Sequence, residues 1–202
     1  MLQFENLKSF CIVLFTSILI SYPILCFGQS GEDKWKIEDG NVVVQKIVEF
    51  ENISKANIYI ALKEHLVNIY GSMKDAMQVD DKENGMVIYK GYYEKKEYNS
   101  MFGQTIEKMI WHILKVDIKE NRIRITVTMN KISVSKSNTT YKSVGNSEEY
   151  LIKYAPDDNK NIKRKDEEMF EYAVNRAVST ISSIEEFIRK ASLKQNDLNN
   201  DW

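Results

Sequence analysis

Between Arg122 and Asn130 the chain reads Arg-Ile-Arg-Ile-Thr-Val-Thr-Met-Asn, a polar and apolar alternation with a period of two. Only a pleated strand puts every second residue on one face, so this stretch has to lie in a sheet with one side buried and the other wet. Residues 110–119 carry the matching pattern, with Ile110, His112, Leu114, Val116 and Ile118 in one phase. Glu120-Asn121 between them makes a tight hairpin turn, because asparagine tolerates a positive φ. From Met129 to Ile132 the alternation slips by one residue, the sign of a bulge or a strand end.

The remaining elements are placed around this hairpin. Residues 42–50 are β-branched and aromatic and form a strand, with Val44, Val48 and Phe50 on one face. Ser54 then offers an N-cap oxygen, Ile58, Leu62, His65, Leu66 and Ile69 recur at helical spacing, and Gly71 supplies the left-handed stop. Residues 77–81 and 86–93 are two further strands. Residues 133–165 are rich in Ser, Asn, Thr and Lys and form a long loop, in which 148–154 is a candidate added strand. Asp166-Glu167-Glu168 opens a last helix whose buried face is Phe170, Ala173, Ala177, Ile181, Ile184 and Ile188. Helices held to one face of an antiparallel sheet make an α+β sandwich, and the other face is left to water or to a partner.

The stretch Asp80-Asp81-Lys82-Glu83-Asn84-Gly85 has the look of a calcium loop. Counted from Asp80, however, Lys82 falls where a third-position oxygen ligand belongs and Gly91 where the closing bidentate acid belongs. The expectation is therefore a β-hairpin with Asn84-Gly85 as a type I′ turn, and no metal.

Residues 10–27 hold no charged side chain and end on Cys26-Phe27-Gly28, which is the layout of a signal peptide cut before Gln29. The competing reading is an uncleaved anchor, since about 18 apolar residues just span a bilayer. The expected organisation is a signal peptide over 1–28, a polar leader over 29–41 and one domain over 42–192. Within that domain a loop covers 135–165 and a helix 166–191, and 193–202 is a disordered tail. Both cysteines, Cys11 and Cys26, lie in the signal, so no disulfide staples the remainder and the fold rests on its hydrophobic core. The expected location is secreted or periplasmic. With 28 Lys and Arg against 29 Asp and Glu there is no basic field to hold nucleic acid.

No sequence pattern nominates a catalyst. His65 and His112 belong to no metal-spaced pair, there is no nucleophile elbow, and no glycine-rich phosphate loop is present. Cofactors are not expected. The distinctive feature is aromatic: Tyr89, Tyr93, Trp111 and Ile113, with Tyr92 and Tyr98 nearby, are the candidate ligand-binding residues of a sheet face that is not simply polar. The opposing expectation is that the loop or the leader around Trp35 folds over these rings and buries them.

Val48-Glu49-Phe50, Ser54-Lys55, Asp81-Lys82-Glu83-x-Gly85-x-x-Ile88-x-Lys90-Gly91 and the run from Val116 to Thr126 together resemble a family of secreted bacterial proteins. That family is classed as a domain of unknown function with a TBP-like fold, and the resemblance covers about residues 42–134. It implies a β-α-β-β-β-β-α order and a curved antiparallel sheet backed by helices on one face, and it brings no catalytic residues. The leading expectation is a non-enzymatic binding or accessory module of the cell envelope that holds a peptide, another envelope protein or an amphiphile. The alternatives are a hydrolase-like enzyme around His65 or His112, which needs a carboxylate beside the imidazole, and a homodimer formed through an edge strand.

Overall fold

The computed structural model describes residues 34–71, 73–99, 103–138, 145–156 and 164–200. The proposed signal peptide and the start of the leader lie outside them. The elements are β1 (Lys36–Glu38), β2 (Asn41–Glu49), α1 (Lys55–Tyr70), the single turn α2 (Met73–Ala76), β3 (Met77–Asp81), β4 (Met86–Asn99), β5 (Gln104–Lys119), β6 (Arg122–Asn138), β7 (Gly145–Tyr150), a 3₁₀ turn (Leu151–Tyr154) and α3 (Arg164–Asn200). Every strand pairing is antiparallel, in the order β1-β2-β6-β5-β4-β3, with β7 also on β6.

The period-two hairpin is the centre of this sheet. Ile118 pairs with Ile123 and Lys119 with Arg122, and Asn121 takes φ 58 in the turn between them. The phase slip is a bulge: Ile110 pairs with Ile132 but His112 with Met129, so Asn130 and Lys131 of β6 both lie opposite Trp111. One side of the sheet is covered by α1 and α3. Ile110, Leu114, Val116 and Ile118 of β5 and Ile123, Ile125, Val127 and Met129 of β6 are buried against Ile58, Leu62 and Leu66 of α1 and Phe170, Ala173, Ala177, Ile181 and Ile184 of α3. Ser54 caps α1 by accepting from the Asn57 amide, and Gly71 closes it with φ 66. Ile69 leaves the expected stripe and is exposed.

One corner ties several loops together. The Lys55 amide donates to Glu120 Oε2, and the Lys55 ammonium donates to the Glu83 carbonyl. Asn121 Oδ1 accepts from the Ile53 amide, and the Ile118 amide donates to the Gly85 carbonyl. Gly85 is packed so closely that a β-carbon there would lie 2.5 Å from the Ile118 carbonyl oxygen. Lys55, Glu83, Gly85, Ile118, Glu120 and Asn121, all among the residues that carry the family resemblance, thus meet at the start of α1.

Four expectations are corrected. The leader is not merely polar chain: it holds β1, joined to β2 by Asp39 and Gly40 at φ 49 and φ 75, the two left-handed positions that a two-residue hairpin turn requires. That is the type I′ geometry expected at Asn84-Gly85. There the link is instead four residues, Lys82–Gly85, with only Gly85 left-handed, because the Asp81 carboxylate accepts from both the amide and the side chain of Asn84 and shapes a wider turn. The expected loop over 135–165 is shorter, since β6 runs to Asn138 and β7 pairs with Lys131–Lys136. The last helix neither stops at 191 nor gives way to a tail at 193, but continues to Asn200, as no glycine or proline follows Pro156 to end it.

Candidate functional site

The four candidate ligand-binding residues do not share a face. Tyr89 pairs with Leu114 and Tyr93 with Ile110, and both tyrosines are buried on the helix side, whereas Trp111 pairs with Tyr92 and Ile113 with Lys90 on the open side. The reason is the pleat: Tyr92 and Tyr93 are neighbours in sequence and so point in opposite directions. Tyr89 and Tyr93 therefore cannot meet a ligand on the open face.

They belong to a buried polar-aromatic cluster. Tyr93 stacks on His112 with ring centroids 4.1 Å apart, Tyr70 OH is 2.8 Å from His112 Nε2, and Tyr93 OH is 3.1 Å from Thr180 Oγ1 of α3. Burial first of all pushes the His112 pKa down to about 4, and likewise raises Tyr93 to about 12. The imidazole is therefore neutral at pH 7 and serves as core. Gly91 makes room for it, because a β-carbon at that position would lie 2.5 Å from Tyr70 Cε1 and 3.2 Å from His112 Cε1.

His65 lies between the helices, stacked on Phe187 at 4.6 Å, with Nε2 2.8 Å from Ser183 Oγ. Its pKa is lowered by burial. Neither imidazole has a carboxylate partner among the described residues. Asp80 and Asp81 part company too. Asp80 accepts from Tyr59 and, at 2.5 Å, from Lys63 of α1, while Asp81 is engaged in its own turn, so the two do not converge on a cation.

The open face carries a groove of about 600 Å³ centred on Trp111. One wall is apolar with a cation: Ile113 is 47% exposed, and the Lys90 ammonium lies 5.4 Å from the centre of the Trp111 ring. Tyr92, half exposed, meets the indole edge-on at 5.3 Å beside it. The indole is held in place by Nε1 donating to Ser133 Oγ at 2.9 Å. The other wall is polar and comes from Thr128, Asn130, Lys131 and Ser133 of β6, with Asn41 and Glu148 at the end. Here β6 changes partner, from β2 at Val42–Met129 to β7 at Lys131–Tyr150, and the bulge between them turns Asn130 into the groove. Asn130 Nδ2 donates to Asn41 Oδ1, while Asn130 Oδ1 is buried and has no partner. Lys131 pairs with Glu148, but Lys90 makes no ion pair among the described residues.

Among the described residues, neither β7 nor the leader around Trp35 lies over this groove. β7 extends the sheet edgewise, and Trp35 packs edge-on against Phe170 on the helix side. Of the groove residues, Trp111 and Ile113 were legible as candidates. Asn130 is signalled only by the phase slip, Lys90 only by its place in the resemblance motif and Glu148 only by the candidate added strand over 148–154, while Asn41 carries no signal.

A sheet of seven antiparallel strands backed on one face by helices defines an α+β protein of TBP-like fold. It is similar to the crystal structure of a TBP-like protein from Parabacteroides distasonis ATCC 8503, with a TM-score of 0.58, 16% identity, and coverage of 76% of this chain and 96% of that one. It is similar also to a DUF4468 family protein from Bacteroides ovatus ATCC 8483, with a TM-score of 0.57, 13% identity, and coverage of 78% and 91%. No family model and no curated protein matches the chain. At these identities the likeness carries the fold, and it agrees with the resemblance seen over residues 42–134.

Proposed function

We propose that the chain is an exported, non-enzymatic binding or accessory module of the cell envelope that works through the open face of its sheet. The observation that carries this reading is the Trp111 groove: a fixed indole, two exposed apolar side chains and an ammonium over the indole with no ion pair among the described residues, set on the face away from α1 and α3. Exposed aromatic and aliphatic side chains rimmed by polar ones are the composition of interaction surfaces. Export rests on the charge-free run over residues 10–27. Native mass spectrometry of the chain purified from its own host tests the reading. A bound species should persist in Ile60→Asp, on the exposed side of α1, and disappear in Trp111→Ala with the fold intact by circular dichroism.

The hydrolase alternative has one observation in its favour, the 2.8 Å contact of Ser183 with His65. Among the described residues the imidazole lacks the carboxylate that orients it in a triad. Ester turnover lost in both Ser183→Ala and His65→Gln, in folded protein, would establish it in place of the binding reading. A homodimer through an edge strand has weaker support, since β1 has three residues and β3 ends in two aspartates, both poor templates for pairing.

A further inference from the structure

From the chemistry of the groove we infer that its ligand is an acidic saccharide, an inference that rests on the open face being a binding surface. The first argument is what a sheet face has to offer. Outside the bulge at Asn130-Lys131 the backbone N–H and C=O groups of β4, β5 and β6 are used in the ladder, so what bonds outward from this face is chiefly side chain. A peptide laid there would leave its own amides to be matched by chance. A sugar hydroxyl donates and accepts on its own, and is matched by the amides and hydroxyls that form the polar wall, Asn41, Thr128, Asn130 and Ser133.

The second argument is the opposite wall. The C–H face of a pyranose ring is apolar and flat and packs on an indole, and Trp111 is held rigid for that purpose by Ser133. The third is charge. With Lys131 matched to Glu148, Lys90 is the groove cation without an ion pair among the described residues; its ammonium lies over the indole, 5.4 Å from the ring centre, and a carboxylate on the incoming sugar would draw it from the ring to the sugar's edge.

The test is an NMR titration of residues 29–202, following the Trp111 Nε1–H resonance, with three probes at equal concentration: α-1,4-linked trigalacturonate, the neutral maltotriose, and the peptide triglutamate. Trigalacturonate should shift the Trp111 resonance saturably, with affinity at least tenfold above either other probe and falling at least fivefold in Lys90→Gln. Equal binding of maltotriose would overturn the role of Lys90. Equal binding of triglutamate would show that charge alone is recognised and overturn the saccharide. No shift with trigalacturonate also overturns it. In that case a bound species lost in Trp111→Ala, as sought above, would leave the binding surface standing with a different ligand, whereas its absence would remove both.

Discussion

Gly91→Ala puts the packing of the inner face to a sharp test. In an unobstructed strand this change should stabilise by about 0.5–1 kcal/mol, because alanine has less backbone freedom to lose on folding. Here the new methyl would sit 2.5 Å from Tyr70 Cε1 and 3.1 Å from Cδ1. The Tyr70 ring cannot simply swing away, since it is stacked on Tyr89 at 5.4 Å and bound to His112 at 2.8 Å. Overpacking of this kind costs about 1–3 kcal/mol, and separating a buried hydroxyl–imidazole pair costs about 1–3 kcal/mol more. Set against the gain in backbone entropy, the net expectation is a loss of about 1–5 kcal/mol. With a urea m-value of about 2 kcal/mol/M, the unfolding midpoint should fall by about 0.5–2.5 M. A double-mutant cycle assigns the cause: in a Tyr70→Ala background the obstruction is gone, and Gly91→Ala should cost at least about 1.5 kcal/mol less than it does alone. A midpoint that stays put or rises, or an unchanged cost in the Tyr70→Ala background, would refute the account of why glycine occupies this strand.

Three further outcomes follow from the same contacts. His112 is buried with its pKa lowered from 6.5 to about 4, so the unfolded chain binds a proton in this window that the folded chain refuses. Stability on this account is full above pH 6.5 and falls by roughly 3 kcal/mol as the pH drops to about 4; urea midpoints from pH 7.5 to 4 should show the slope, and His112→Gln should lose it. Asp80, held below its ordinary 3.8 first of all by Lys63 and then by Tyr59, contributes stability above that pH that is lost as the pH falls through its lowered value. Asp80→Asn should therefore cost roughly 1 kcal/mol at pH 7 and flatten the acid limb below about pH 4, by the same measurement. Asn121→Ala keeps φ 58 on a residue that resists it and deprives the Ile53 amide of its acceptor, for a loss of about 2–3 kcal/mol. Asn121→Gly should recover about half of that in thermal unfolding, since it relieves only the backbone.

What could be read from residues alone follows the reach of each signal. The β5–β6 hairpin, the α1 caps and the inward face of α3 are local: period two, a serine and a glycine at helix ends, and period 3.6 act within a few residues, and each appears where its pattern lies. β1 and the far ends of β4, β5 and β6 were missed because their residues are polar, and their strand state comes from ladder bonds to neighbours distant in sequence. The groove was half legible for the same reason. Trp111 and Ile113 declare themselves by type, whereas Asn41, Asn130 and Glu148 come from three strands that only the sheet order brings to one place.

The corner where Lys55, Glu83, Gly85 and Glu120 lock together has a consequence for kinship. Those residues keep a helix start, two turns and a strand in register, so selection on architecture alone is enough to preserve them. Chains that share this latch will share a scaffold and still differ freely in the side chains they carry on the open face of the sheet. Grouping them by the side chains at positions 111 and 130 should sort them by what the open face binds, where grouping by the latch sorts them only by shape.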